Sequence, residues 1–139
     1  LVMAKDSLRI FREHPLQGTG LGTLQAVYPF YESFYDGKVV NHAHNDYVEV
    51  LAEMGLAGGL CGLSFLVIFF RRGLGHLQAC EHVRDLAVYA GAFVACSGLL
   101  AHSLVDFNLR IPANALIFLL QAILVCTAWP RALDHFPGQ

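Results

Sequence analysis

The residues with the most chemistry lie together in Asn41-His42-Ala43-His44-Asn45-Asp46-Tyr47, with Glu49 and Glu53 just downstream. Two imidazoles and three carboxylates thus precede or enter a long apolar run. Ionisable groups at the edge of a membrane span mark a functional site. Three chemistries suit this set. The first is metal binding through His42-x-His44 with Asp46 or Glu49. That pair is unspecific, and the HExxH and cysteine-rich spacings of zinc sites are absent, so no metal and no cofactor is assigned. The second is general-base catalysis, because an imidazole titrates near neutral pH and takes a proton from a hydroxyl. The third is helix capping. Asn45 or Asp46 is a natural N-cap, and Asp46 followed three residues later by Glu49 has the spacing of a capping box. Capping and catalysis are compatible on adjacent residues.

The elements that must hold these groups are helical and apolar. The chain has 139 residues, 55% hydrophobic and 14% charged, against about 25% charge in a soluble domain. That composition predicts an all-α membrane bundle. The net charge of -2 is dispersed, which argues against a nucleic-acid surface. Cys61, Cys80, Cys96 and Cys126 form no CxxC pair and read as small buried residues rather than as disulfides or metal ligands. The opening Leu1-Val2-Met3-Ala4-Lys5-Asp6 looks internal, so the sequence reads as a C-terminal fragment of a longer protein.

Two regions are expected: an extramembrane segment over 1–48 and a membrane region over 49–139. Leu1, Ala4, Leu8 and Phe11 predict an amphipathic helix over 1–14, ending before Pro15 and lying on lipid or protein. Pro15-Leu16-Gln17-Gly18-Thr19-Gly20-Leu21-Gly22 reads either as a glycine turn or as a backbone cradle for phosphate. Tyr28, Tyr31 and Tyr35 suit packing or a membrane interface, and Asp36-Gly37 a turn. About three spans follow, over 49–70, 86–105 and 113–129, with a polar loop over 71–85, Trp129 as an interface anchor and a frayed tail. Gly55/Gly59 and Gly58/Gly62 have GxxxG spacing, which predicts close approach of another helix. Arg71, Arg72 and Arg84 place residues 71–85 in the cytoplasm. His42, His44, His102, Asp106 and Arg110 then share the opposite, outer face.

His44-Asn45, nine residues, then Gly55-Leu56-Ala57-Gly58 is similar to the H-[NSQ]-x9-G-x-x-G pattern of the O-antigen ligase family. That family shares its domain with Wzy-type O-antigen polymerases and some protein O-oligosaccharyltransferases. The upstream Pro15-Leu16-x-Gly18-x-Gly20-x-Gly22 resembles the family's stretch before its periplasmic loop, and His102-Ser103-Leu104-Val105-Asp106-Phe107 resembles the end of a later span. The resemblance covers nearly the whole sequence, in order.

The resemblance implies a GT-C-like, multi-pass glycosyltransferase of the bacterial inner membrane, with its active face in the periplasm. It implies transfer of a glycan from undecaprenyl pyrophosphate to a lipid, glycan or protein acceptor. His44 would activate the acceptor hydroxyl without a metal. Asn45 of the motif would contact substrate, with His42, which has no place in the motif, as a lesser partner. Arginines would hold the pyrophosphate, for which Arg9 and Arg12 are candidates here, Arg12-x-x-x-Leu16 matching a spacing seen in ligases. Much of such an enzyme lies upstream, so the isolated fragment is expected to be inactive. The alternative is a non-enzymatic membrane component of inorganic-carbon transport from the same domain family, with His44 and Glu53 lining a path.

Overall fold

The computed structural model describes residues 2–34, 37, 40 and 42–127. Among them the regular elements are all helical: α1 (Val2–Glu13), α2 (Leu24–Val27), α3 (Asp46–Ala79), α4 (Val83–His102) and α5 (Pro112–Cys126), with 3-10 turns at Tyr28–Phe30 and Asn108–Arg110. The expectations for Tyr35, Asp36, Asn41 and Trp129 and for the tail fall outside the described residues.

α3 organises the chain. It is 34 residues long and breaks at Gly55, where φ is 60° and ψ is -155°. A side chain is strongly disfavoured in that region of backbone space. Beyond Gly55 the helix runs roughly 36 Å at 1.5 Å per residue, enough for a hydrocarbon core of about 30 Å. α3 and α4 are both long and apolar enough to cross a membrane, and only 22% and 17% of their most apolar windows are buried. That exposure separates them from the core helices of a water-soluble domain. α5 is apolar but has 15 residues, and it opens on Pro112, whose fixed φ and missing N–H suit a first helical turn.

The three long helices meet around Phe69, Ala92, Cys96, Leu100, Phe118, Ala122 and Val125. The rings of Phe69 and Phe93 stack at 5.4 Å. Gly73 lets them close, since a Cβ there would lie 2.6 Å from Phe93 and 2.9 Å from Val125. The polar loop expected over 71–85 is instead helical as far as Ala79, leaving three residues before α4. His76 Nδ1 lies 2.8 Å from the Val125 carbonyl, and Arg72 donates to that of Cys126. These polar side chains serve the unsatisfied end of α5 while their own backbone stays helical. α4 ends at His102 rather than at 105.

A second, smaller core gathers Ile10, Leu24, Tyr28, Ala43 and Ala52, with Met3 packed on it. The face of α1 packed on this core differs from the apolar face picked out by Ala4, Leu8 and Phe11. Asp6, Ser7 and Ile10 point inward, whereas Ala4, Leu8 and Phe11 are half-exposed. Asp6 tolerates burial because it accepts hydrogen bonds from Tyr28 Oη and from the Ser33 backbone and hydroxyl, at 3.2, 3.1 and 2.9 Å. Burial, with the neighbouring Asp6 carboxylate, pushes the Tyr28 hydroxyl up to about 12.

Candidate functional site

The kink at Gly55 frees backbone groups that a straight helix would pair internally. The glycine-rich segment after α1 takes them up. Thr19 N–H donates to the Ala52 carbonyl at 3.1 Å and Gly20 N–H to that of Glu53 at 2.8 Å. In return Leu56 N–H donates to the Pro15 carbonyl at 2.7 Å and Ala57 N–H to that of Leu16 at 3.4 Å. The two backbones nearly touch. A Cβ on Gly18 would sit 2.3 Å from the Glu53 carbonyl group, and one on Gly55 would sit 2.6 Å from that of Leu16. This explains glycine at both positions. Thr19 and Gly20 spend their N–H groups on α3, so that pair is not free to cradle a phosphate. Gly58 meets Met54 across the kink, Gly59 meets Leu51, and Gly62 has open space around it. No second helix occupies the GxxxG spacings among the described residues.

The kink and its splint fix the first turns of α3, where the carboxylates lie. Asn45 caps the helix: its backbone is extended and its Oδ1 accepts from Val48 N–H at 3.0 Å. The capping box expected from Asp46 and Glu49 does not form. Asp46 is already helical, and its Oδ2 accepts from Leu109 N–H at 3.1 Å. Glu49 turns back instead and accepts from Ala43 N–H through Oε2 at 2.9 Å. Its Oε1 lies 3.0 Å from His42 Nδ1 and 3.3 Å from Arg110 Nε. Glu53, one turn on, accepts from Leu24 N–H through Oε1 at 3.0 Å. Its Oε2 lies 2.7 Å from Arg110 Nη2, an ion pair by distance whose angles are not those of a directed hydrogen bond. Glu49 and Glu53 are each 1% exposed and Arg110 is 18% exposed. One planar guanidinium thus bridges two buried carboxylates, a task suited to arginine's fork of donors.

His44 stands beside this network and differs from everything in it. It is the one non-glycine residue with positive φ, 50°, among the described residues. Such strain in a non-glycine residue marks a position that its surroundings over-determine. The segment is held on both sides, by Glu49 on the Ala43 N–H and by Asn45 Nδ2 donating to the Leu104 carbonyl at 2.7 Å. The imidazole stays 54% exposed, its Nδ1 3.5 Å from Asp106 Oδ1. The Phe107 backbone N–H, donating to Asp106, holds that carboxyl below the usual carboxylate range, and His44 adds to the effect. Phe107 also organises both imidazoles: His42 stacks on its ring at 4.5 Å and His44 meets it edge-on at 5.1 Å.

The structure brings His42, His44 and Asn45 together with Asp106, Phe107 and Arg110. Arg9 and Arg12 stand apart, exposed on α1. Among the described residues no ion pair or hydrogen bond joins either of them to this cluster. In the sequence Asp106 and Arg110 share the outer face with the histidines but carry no assigned part in the site. The signal available in the sequence is a pair of glutamates at i and i+4 at the start of an apolar span, which calls for a cation, and Arg110 is the arginine closest to a span end on that side. No group of three or more ligands with metal-binding geometry occurs among the described residues.

A strained, half-exposed imidazole with a carboxylate on one ring nitrogen can take a proton through the other. Residues 1–63 match the model of one protein family, described as O-Antigen ligase. No curated protein and no solved structure matches the chain.

Proposed function

We propose, from the match of residues 1–63 to the O-Antigen ligase family model, that the chain is part of a membrane glycosyltransferase with His44 as its general base. The donor is a glycan on undecaprenyl pyrophosphate. The acceptor is a hydroxyl on a lipid, a glycan or a protein. The site faces the periplasm from the inner membrane. The observation that carries this reading is the geometry of His44, strained at φ 50°, half-exposed and backed by Asp106 at 3.5 Å. Asp106 fixes the proton on Nδ1 and leaves Nε2 free for the acceptor. As the acceptor oxygen bonds to the anomeric carbon, its proton moves to Nε2. The bond from that carbon to the pyrophosphate oxygen breaks, and the leaving group keeps the electron pair. Asp106 then stabilises the imidazolium. Asn45 and His42 contact substrate, and Arg9 and Arg12 are available to the pyrophosphate because neither is tied to the cluster. The engagement of Glu53 by Leu24 and Arg110 supports this reading over transport, since a carboxylate so occupied does not line an open path.

The test is glycan transfer by the full-length protein in membranes. His44→Ala should lower the rate by about 10²–10⁴ while insertion stays near normal. His42→Ala should lower it less, and EDTA should leave it unchanged. Full transfer by His44→Ala, or loss of transfer in EDTA, would remove this proposal.

A further inference from the structure

Arg110 lies 61 residues from Glu49 along the chain, yet its guanidinium closes the carboxylate pair at the base of the histidine segment. Each contact of that pair leads to a different element. Glu53 holds the start of α2 through Leu24 N–H. Glu49 holds the histidine segment twice, through Ala43 N–H and the His42 ring. Arg110 belongs to the 3-10 turn at Asn108–Arg110, which directly follows Asp106-Phe107. One guanidinium therefore ties together the two segments that carry the halves of the His44–Asp106 pair. Two buried glutamates four residues apart on one helix would repel without it. Glu49 would then have every reason to turn away from Ala43, and the left-handed backbone at His44 would lose its anchor on that side.

We infer that Arg110 and Glu49 are positioning residues for His44. Arg110 holds Glu49 in place, and Glu49 holds the 42–44 backbone so that the His44 imidazole meets Asp106. With both Nε and Nη2 turned to carboxylates, Arg110 works inward on the protein and is not the pyrophosphate ligand. The inference rests on the catalytic role proposed for His44. A misplacement of a catalytic group by about 1 Å can lower a rate by about 10²-fold, so substitutions here act on turnover rather than on substrate affinity.

The test is a double-mutant cycle on the full-length protein in membranes, with kcat and KM for transfer measured for Glu49→Gln, His44→Ala and the pair. The substituted amide remains able to accept the Ala43 N–H but carries no charge for Arg110. Glu49→Gln should lower kcat about tenfold with KM within about twofold. On the His44→Ala background it should lower the residual rate no further, because the group it positions is gone. A merely structural residue would lower the rate equally on both backgrounds, and that result overturns the inference, as does a wild-type kcat for Glu49→Gln. Should Glu49→Gln fail to accumulate, Arg110→Lys takes its place in the same cycle. Lysine keeps the charge but reaches one carboxylate instead of two, so a several-fold loss of kcat is expected, again with no further loss beside His44→Ala. A wild-type kcat for Arg110→Lys overturns the inference. Wild-type transfer by His44→Ala alone would instead count against the catalytic role of His44, whatever Glu49 does.

Discussion

The two halves of α3, before and after Gly55, are held by opposite means. From Leu56 to Ala79 the helix is apolar, largely exposed along its length, and joined to α4 and α5 by ring stacking and small-residue contacts. From Asp46 to Met54 it is fastened by backbone hydrogen bonds to the glycine segment and by ion pairs to Arg110. Packing of the first kind admits many side chains of similar size. Fastening of the second kind admits few, because each bond has a partner with a fixed direction and an unpaired buried group is unfavourable. Definite geometry follows from fastening of the second kind, and in this chain His42 and His44 lie in the segment that leads directly into the fastened half. The lipid-crossing half supplies a place to stand.

The strongest way to break that contrast is at the kink. Gly55→Ala places a methyl group 2.6 Å from the Leu16 backbone in a conformation that only glycine adopts readily. A loss of about 3 kcal/mol or more is expected, read as loss of folded protein after detergent extraction. Gly62→Ala meets nothing within 4 Å, lies in regular helix, and should be neutral or stabilising by up to about 1 kcal/mol. Equal behaviour of the two variants would mean that the halves do not differ as described.

A smaller effect is expected at the carboxylate facing His44. Asp106→Asn keeps the side chain's size and removes its charge. Transfer should fall on the order of tenfold, well below the roughly 10⁴ known for a buried triad carboxylate, because water screens an exposed pair. The sign with pH follows from the lowered value of Asp106. Its contribution is present above the ordinary carboxylate value and is lost as pH falls through its lower folded value. In acid, the wild-type advantage over Asp106→Asn should disappear; an advantage that grew on acidification would contradict the pairing.

The smallest effect concerns the splint's far side. Tyr28→Phe removes one hydrogen bond to buried Asp6 and should lower stability by about 1 kcal/mol. Tyr28 is raised to about 12, so its contribution is present below the unfolded value near 10 and lost as pH rises through the folded one. Thermal unfolding of both proteins between neutral and alkaline pH checks this: the wild-type advantage should shrink at the alkaline end.

What could be read from the sequence was whatever depends on near neighbours. The apolar runs located the long helices, Pro112 located the start of α5, and Asn45 was legible as a cap because its partner, Val48, is three residues away. The misreadings share a cause. Apolar spacing does not reveal the packed face of α1, since Asp6 is buried through partners 22 and 27 residues away. Arg71, Arg72 and Arg84 mark residues 71–85 as a polar loop in the sequence, since the carbonyls that Arg72 and His76 reach belong to α5. The glycine run was open between turn and phosphate cradle, because the carbonyls that use its N–H groups are freed by a kink more than thirty residues on. Arg110 could be placed on the right face but not on the right carboxylates, because that depends on how the 3-10 turn meets α3.

The central claim is that the His44 imidazole itself takes the acceptor proton from a backbone strained to present it. Chemical rescue tests this most directly. Glycine adopts the φ of 50° found at position 44 without strain, so His44→Gly should insert and fold normally while leaving a gap where the ring stood. Transfer by His44→Gly should be near background, restored in a saturable way by added imidazole and not by an equal concentration of a non-basic analogue. Wild-type transfer in His44→Gly without imidazole would contradict the claim.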